Sequence, residues 1–67
     1  MRLLNVSRRD GFLVLDTDLG TRKRSLDHPD MQAMEALCKK LIGEEVIVDS
    51  LPGWDPQVWF WSLQQAQ

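Results

Sequence analysis

The sequence contains a single cysteine, Cys38, and no long apolar run. One cysteine excludes an internal disulfide, whereas small secreted domains usually need several. No segment approaches the ~18 continuous apolar residues of a membrane-spanning helix, and Asn5 and Ser7 interrupt the N-terminal segment before it could act as a signal peptide. We therefore expect a protein of a reducing compartment, the cytoplasm.

A strong excess of charge is also lacking. The formal net charge of −2 provides no overall attraction to nucleic acids or anionic membranes. With 43% apolar and 27% charged residues, the composition is typical of a folded chain rather than a disordered one. The sequence has no repeat or linker, so residues 1–67 are expected to form one domain. A core of this size buries only ~60% of the unfolded surface, which makes a homo-oligomer an open alternative.

Turn signals divide the N-terminal half into three predicted strands. Leu3 to Ser7 and Phe12 to Asp16 flank Asp10-Gly11, a pair typical of the two-residue hairpin turn in which both residues have positive φ. A second turn at residues 18–20 is expected to lead into a polar third strand over residues 21–26.

The first turn predicts which side chains share a face of the sheet. It places Arg9 opposite Phe12 and Ser7 opposite Val14, and side chains alternate along each strand. The predicted core face carries Leu4, Val6, Leu13 and Leu15. The predicted outer face carries Asn5, Ser7, Arg9, Phe12, Val14, Arg22 and Arg24, the last two if the third strand pairs around Leu19.

One helix is predicted between Pro29 and Gly43. Proline suits the first helical position, after His28 or Asp27 as the cap, and glycine commonly ends a helix. An apolar stripe at helical spacing is expected to pack against the sheet; it consists of Met31, Met34, Leu37, Cys38, Leu41 and Ile42. The tripeptide His28-Pro29-Asp30 resembles that of J-domain cochaperones, but only over three residues, and we interpret it as the start of the helix.

The C-terminal part contains one further strand and an ambiguous segment. Residues 44–49 are predicted to form a strand. In Val58 to Leu63, aromatic and β-branched residues favour a strand, whereas Asp55-Pro56 could begin a helix. If this segment is a strand, the fold is a five-stranded sheet or partly open barrel packed on one helix. If it is a helix, the fold is a βββαβα sandwich.

We favour the first alternative, an α+β fold with a small antiparallel sheet or partly open barrel in the order β-β-β-α-β-β. This order resembles that of the OB-fold, whose helix also lies between the third and fourth strands. The resemblance concerns the order of elements and carries no functional motif.

The residue types that support catalysis are sparse. Cys38 lies on the apolar stripe and is interpreted as a core residue, and the single His28 has no nucleophile to activate. Asp16, Asp18 and Asp27 lack the spacing of a calcium loop. We therefore expect no enzyme activity, no metal site and no cofactor.

Two surfaces are candidates for binding. Trp54, Trp59 and Trp61 lie close together in the chain, and tryptophan is enriched at binding hot spots. The leading hypothesis is a non-catalytic protein-interaction module, an inhibitor or adaptor, that binds through these side chains. The alternative is a single-stranded nucleic-acid-binding domain that uses Arg9, Phe12, Arg22 and Arg24, with an aromatic platform and cations for phosphates.

Overall fold

The structure is a computed structural model that describes residues 1–66. Its elements follow the order β1 (Leu3–Arg9), β2 (Phe12–Thr17), β3 (Gly20–Ser25), α1 (Met31–Lys40), β4 (Val46–Asp49) and β5 (Ser62–Gln65). The strands form two antiparallel sheets, β1-β2-β3 and β4-β5. The predicted α+β fold with a small antiparallel sheet and one helix is confirmed.

The first hairpin has the predicted turn. Asp10 and Gly11 adopt φ values of 53° and 82°, as a turn of this type requires. Arg9 therefore pairs with Phe12 and Ser7 with Val14, as the sequence indicates.

A β-bulge near the start of β1 changes which leucine is buried. Leu3 pairs with Thr17 and Asn5 pairs with Asp16, so Leu4 is an extra residue between them. The prediction that Leu4 lies in the core is therefore wrong. Leu3 is fully buried, whereas Leu4 is 52% exposed. An inserted residue moves its neighbours to the opposite face of the strand.

Main-chain hydrogen bonds join the first sheet, at two places, to the segments that precede β4 and β5. The Gly43 N–H donates to the Leu3 carbonyl at 2.7 Å. On the other side, the Lys23 N–H donates to the Val58 carbonyl at 3.0 Å, and the Phe60 N–H donates to the Lys23 carbonyl at 3.1 Å. Residues 58–60 thus run parallel to β3.

The C-terminal segment combines features of both predictions. Residues 55–58 form a turn in which the Asp55 carbonyl accepts hydrogen bonds from the N–H groups of Val58, at 3.1 Å, and Trp59, at 3.0 Å. The strand β5 begins later than predicted, at Ser62. No helix forms in this segment among the described residues, so the βββαβα alternative is wrong.

Both sheets and one side of α1 enclose the core. Its buried apolar residues are Leu3, Val6, Leu13, Leu15, Cys38, Leu41, Val46, Phe60 and Leu63. The apolar stripe of α1 is only partly covered, since Leu37 and Ile42 are exposed. No helix within residues 1–66 has the length and apolar character needed to cross a membrane.

The helix α1 begins at Met31, two residues later than predicted. Met31 N–H donates to the His28 carbonyl at 3.1 Å, so Pro29 lies in a turn that precedes the helix. Asp30 occupies the capping position but makes no side-chain capping bond. Its carboxylate accepts a hydrogen bond from Arg24 at 2.6 Å instead.

Two ion pairs connect α1 to the first sheet. Arg24 of β3 pairs with Asp30, and Arg8 of β1 donates two hydrogen bonds to Glu35, at 2.8 Å and 2.5 Å. The Glu35 side chain is largely covered, since it is only 13% exposed. The hydrogen bond from Arg8 lowers the pKa of Glu35, and that from Arg24 lowers the pKa of Asp30.

These pairs predict that the protein loses stability in acid. A carboxylate with a lowered pKa in the folded state contributes stability above its unfolded pKa, ~3.9 for Asp and ~4.3 for Glu. That contribution is lost as pH falls below ~4.3 and through the lowered pKa values. Urea unfolding midpoints measured from neutral to acidic pH should show this decline. The Glu35→Gln variant should have a flatter profile, and an unchanged profile would contradict the assignment of Glu35.

Candidate functional site

The loop between β4 and β5 brings the three tryptophans together. Trp54 N–H donates to the Leu51 carbonyl at 3.1 Å, and Gly53 before it has a φ of 85°, which favours glycine. The ring of Trp54 lies 6.0 Å from that of Trp59 and 6.1 Å from that of Trp61, between centroids. All three side chains are half-buried, so each retains some contact with solvent.

Phe60 anchors this loop to the rest of the molecule. Its side chain is fully buried in the core, and its N–H is bonded to β3. Trp59 and Trp61, on either side of it in the chain, stay at the surface. The alternation of one buried ring between two accessible ones explains why this segment is apolar at consecutive positions.

The two candidate surfaces predicted from the sequence meet in the structure. Phe12 of β2 lies 5.8 Å from Trp59, between ring centroids. The Lys23 Nζ lies 4.7 Å from the centroid of Phe12 and 4.8 Å from that of Trp59, so its ammonium contacts both rings. His28 packs edge-on against Trp61 at 4.9 Å. We call this continuous area the aromatic surface; its residues are Phe12, Lys23, His28, Trp54, Trp59 and Trp61.

Two clefts open on the aromatic surface and approach each other at the contact between Phe12 and Trp59. The first has a volume of about 280 Å³ and is lined by Arg9, Asp10, Phe12, Val14, Thr21 and Lys23. The second has a volume of about 340 Å³ and is lined by Ser25, His28, Trp54 and Trp59.

Two of the four residues predicted to bind nucleic acid lie on the opposite face of the sheet. Arg22 pairs with Leu15 and Arg24 with Leu13, so both arginines point towards the core and are buried. The reason is the second turn, which contains only residues 18–19 and pairs Thr17 with Gly20. A shift of one residue in this register exchanges the faces.

Lys23 takes the place predicted for these arginines. It pairs with Val14 and shares the outer face with Phe12 and Arg9. Sequence reasoning missed Lys23, although the alternation of side chains along β3 would have identified it once the two-residue turn was recognised.

The charges of the outer face are mixed. Arg9 pairs with Asp16 at 3.5 Å, and Asp10 lines the first cleft. Lys23 pairs with no carboxylate among residues 1–66. The unneutralised cation nearest the aromatic rings is therefore Lys23.

Arg24 lies beneath the aromatic surface. Its guanidinium carbon is 4.4 Å from the centroid of Trp61, and its side chain is only 2% exposed. The Nη2 is bonded to Asp30, whereas Nε and Nη1 have no partner within the part of the chain that the structure describes. Arg24 thus supports Trp61 from the inside and is too deeply buried to contact a large partner.

Two of the three aspartates considered for a metal site accept hydrogen bonds from other groups of the protein. Asp16 accepts hydrogen bonds from Arg9 and Thr21, and Asp18 accepts one from the main-chain N–H of Arg2 at 2.8 Å. Across residues 1–66, no group of three His, Cys, Asp or Glu side chains could hold a metal ion.

Cys38 is expected to be unreactive in the folded protein. It is fully buried, and burial is the main cause that raises the pKa of its thiol to about 11. The nucleophilic thiolate is therefore scarce at neutral pH. Ellman's reagent should label Cys38 rapidly in urea and very slowly in buffer. Rapid labelling under native conditions would show that the thiol is accessible and that this part of the core opens easily.

Comparisons with family models, with curated proteins and with solved structures found no match for this chain.

Proposed function

We propose that this protein is a non-catalytic protein-interaction module, of the inhibitor or adaptor kind, that binds its partner through the aromatic surface. The observation that carries the proposal is the continuous contact of Phe12, Trp59, Trp54 and Trp61, with successive centroids 5.8, 6.0 and 6.1 Å apart. Half-buried rings are held in place before binding, so little conformational entropy is lost when a partner covers them.

The kind of side chain supports this proposal. Tryptophan is enriched among the residues that dominate binding energy at protein interfaces, where substitution by alanine often costs at least ~2 kcal/mol. A surface with several such residues around two clefts provides apolar contact area and a concave shape that a partner can complement. The mixed charges nearby suit a polar rim around an apolar centre.

Single-stranded nucleic acid is the second candidate. It is favoured by the unneutralised Lys23, which lies between the rings of Phe12 and Trp59 with Arg9 on the same face. The connections of residues 1–3 with residues 43–46, and of β3 with residues 58–60, support an OB-like arrangement. Oligonucleotide-binding OB-folds use the face of the second and third strands and the loop before the fifth strand, which are the elements that form the aromatic surface here.

The proposed cellular setting follows from Cys38. A single buried thiol is compatible with the reducing cytoplasm, where disulfides rarely form. Self-association is a further proposal, because seven large apolar side chains remain exposed; they are Leu4, Leu19, Leu37, Ile42, Ile47, Leu51 and Val58.

Affinity capture from nuclease-treated lysate of the source organism tests the proposed function. The bait is the full chain, compared with Trp54→Ala and with Leu51→Ala as the control. Leu51 is an exposed apolar residue of the same loop that lines neither cleft. We expect at least one protein to be retained by the wild type and the control and lost with Trp54→Ala. Equal recovery with all three baits would contradict the proposal, as would partners that are recovered only when the nuclease treatment is omitted.

A further inference from the structure

The tryptophans of the aromatic surface have hydrogen-bonding capacity that residues 1–66 do not use. None of the side-chain hydrogen bonds within residues 1–66 involves the indole Nε1–H of Trp54, Trp59 or Trp61. None of these three groups is a buried atom without a partner either. The surface therefore offers aromatic rings together with donors that an incoming acceptor can reach.

The edge of β3 beside this surface is already occupied. Lys23, in the middle of the strand, uses both its N–H and its carbonyl for hydrogen bonds with Val58 and Phe60. A partner strand cannot pair with β3 at this point without displacing residues 58–60. Addition of a strand to the sheet edge, one common way of binding a peptide, is therefore blocked here. Recognition must rely on side chains.

A polyproline II helix has the complementary properties. Its carbonyl groups are free of internal hydrogen bonds and point outwards, so they can accept bonds from indole N–H groups. Proline-rich segments dock into aromatic-lined grooves, and their preformed shape limits the entropy lost on binding. The two clefts on the aromatic surface, adjacent at Phe12 and Trp59, form such a lining.

The charge of the surface selects among proline-rich segments. Lys23 has no carboxylate partner among the described residues and lies over two of the rings, and the buried Arg24 contacts a third ring from beneath. A cationic ligand would be repelled from rings that already contact cations, whereas an acidic side chain would neutralise Lys23. Desolvating an unpaired charge at an interface is costly, so an acidic residue near the prolines is favoured.

Nucleic acid fits these details less well. The rings are tilted against one another by 57° and 53° rather than arranged as flat, free platforms, and stacking is what bases require. Arg22 and Arg24 are buried, Arg9 is paired with Asp16, and the whole chain is acidic. Few cations remain for a phosphate backbone.

We propose that the aromatic surface binds a proline-rich segment in the polyproline II conformation that carries an acidic residue next to Lys23. This inference rests on the proposed protein-interaction function and specifies its partner.

An array of short peptides tests the inference directly. The probes contain two prolines separated by two variable residues, with glutamate or lysine at each flanking position, and matched peptides have alanine in place of the prolines. We expect the protein to prefer probes with prolines and glutamate. The strongest binder is then titrated into isotope-labelled protein, where the three indole N–H signals should shift on binding.

Variants identify the residues that bind the peptide and that set its charge preference. Trp54→Ala should raise Kd by about 30-fold, the size expected for a hot spot. Lys23→Glu should reverse the preference, so that the lysine-containing version of the peptide binds more tightly than the glutamate version. Leu51→Ala and Lys40→Glu are the matched controls and should leave Kd and the preference unchanged, since neither residue lines a cleft.

Three results would overturn the inference. They are no binding to any peptide of the array, binding that moves none of the indole signals, and tighter binding of a single-stranded oligothymidylate than of any peptide. If affinity capture still retains a protein that depends on Trp54 while the array is negative, the proposed function stands and the proline-rich partner is wrong.

Discussion

Replacement of Phe60 by alanine is expected to lower the free energy of unfolding by about 3–5 kcal/mol, the range for a buried aromatic side chain. Phe60 is fully buried among residues contributed by both sheets. For a chain of 67 residues, a total stability of about 3–10 kcal/mol is typical at ~0.05–0.15 kcal/mol per residue. The loss is therefore a large fraction of the total, and the variant should unfold at a much lower urea concentration than the wild type. Urea unfolding followed by far-UV circular dichroism measures the change.

Val58→Ala provides the control for this experiment. Val58 lies two positions earlier, is 38% exposed and contributes its carbonyl to the contact with β3, which the substitution retains. Its substitution should change stability by less than ~0.5 kcal/mol, as for most surface positions. A Phe60→Ala variant with the same urea midpoint as the wild type would show that the ring does not fill the core. The loop that carries the tryptophans would then need another anchor.

The sequence predicted the local elements of this fold better than their registers. Asp10-Gly11 specifies the first turn through its backbone conformation, so the first hairpin and its pairing could be derived without any long-range information. The second turn has no such pair, and a difference of one residue in its length moves Arg22 and Arg24 from the outer face to the core face. The β-bulge at Leu4 is equally invisible, because either leucine would be acceptable in the core.

The candidate site could be predicted only where it depends on residues that are close together in the sequence. The three tryptophans are neighbours in the chain, so their association was expected from the sequence. Contact between Phe12 and Trp59 depends on how residues 58–60 pack beside β3, which no local pattern encodes. The role of Lys23 follows from that contact and from the corrected register together.

The C-terminal segment shows why its assignment was ambiguous. Asp55 does begin a short helical turn, with its carboxylate accepting a hydrogen bond from the Gln57 N–H at 2.9 Å. The chain then extends, which places Phe60 inside and leaves Trp59 and Trp61 at the surface. Because the segment forms a helical turn first and an extended chain afterwards, neither the helix pattern nor the strand pattern fits its whole length. The aromatic surface depends on this change of conformation, since it sets the spacing of the rings.

Removal of Asp30 is expected to destabilise the protein much more than removal of its partner Arg24. The guanidinium of Arg24 is buried and has one hydrogen-bonded nitrogen, to Asp30, with Nε and Nη1 unpartnered among the described residues. Asp30→Ala leaves this cation without a counter-charge, which is strongly unfavourable in the interior. Arg24→Met removes the charge and retains an apolar chain beneath Trp61, while Asp30, 52% exposed, can be solvated.

Urea unfolding of four variants tests this asymmetry. Arg24→Met should unfold at the same urea concentration as the wild type or a higher one, since an apolar replacement of a buried ion pair is often neutral or stabilising. Asp30→Ala should unfold at a clearly lower concentration, and in the Arg24→Met background the same substitution should have little effect, because the two residues act as a pair. Asp27→Ala is the control, because Asp27 is an exposed acid of the same loop that forms no ion pair within residues 1–66. An Asp30→Ala variant as stable as the wild type would mean that Arg24 does not depend on this carboxylate. Arg24 would then support Trp61 only through the contact between its guanidinium and the indole ring.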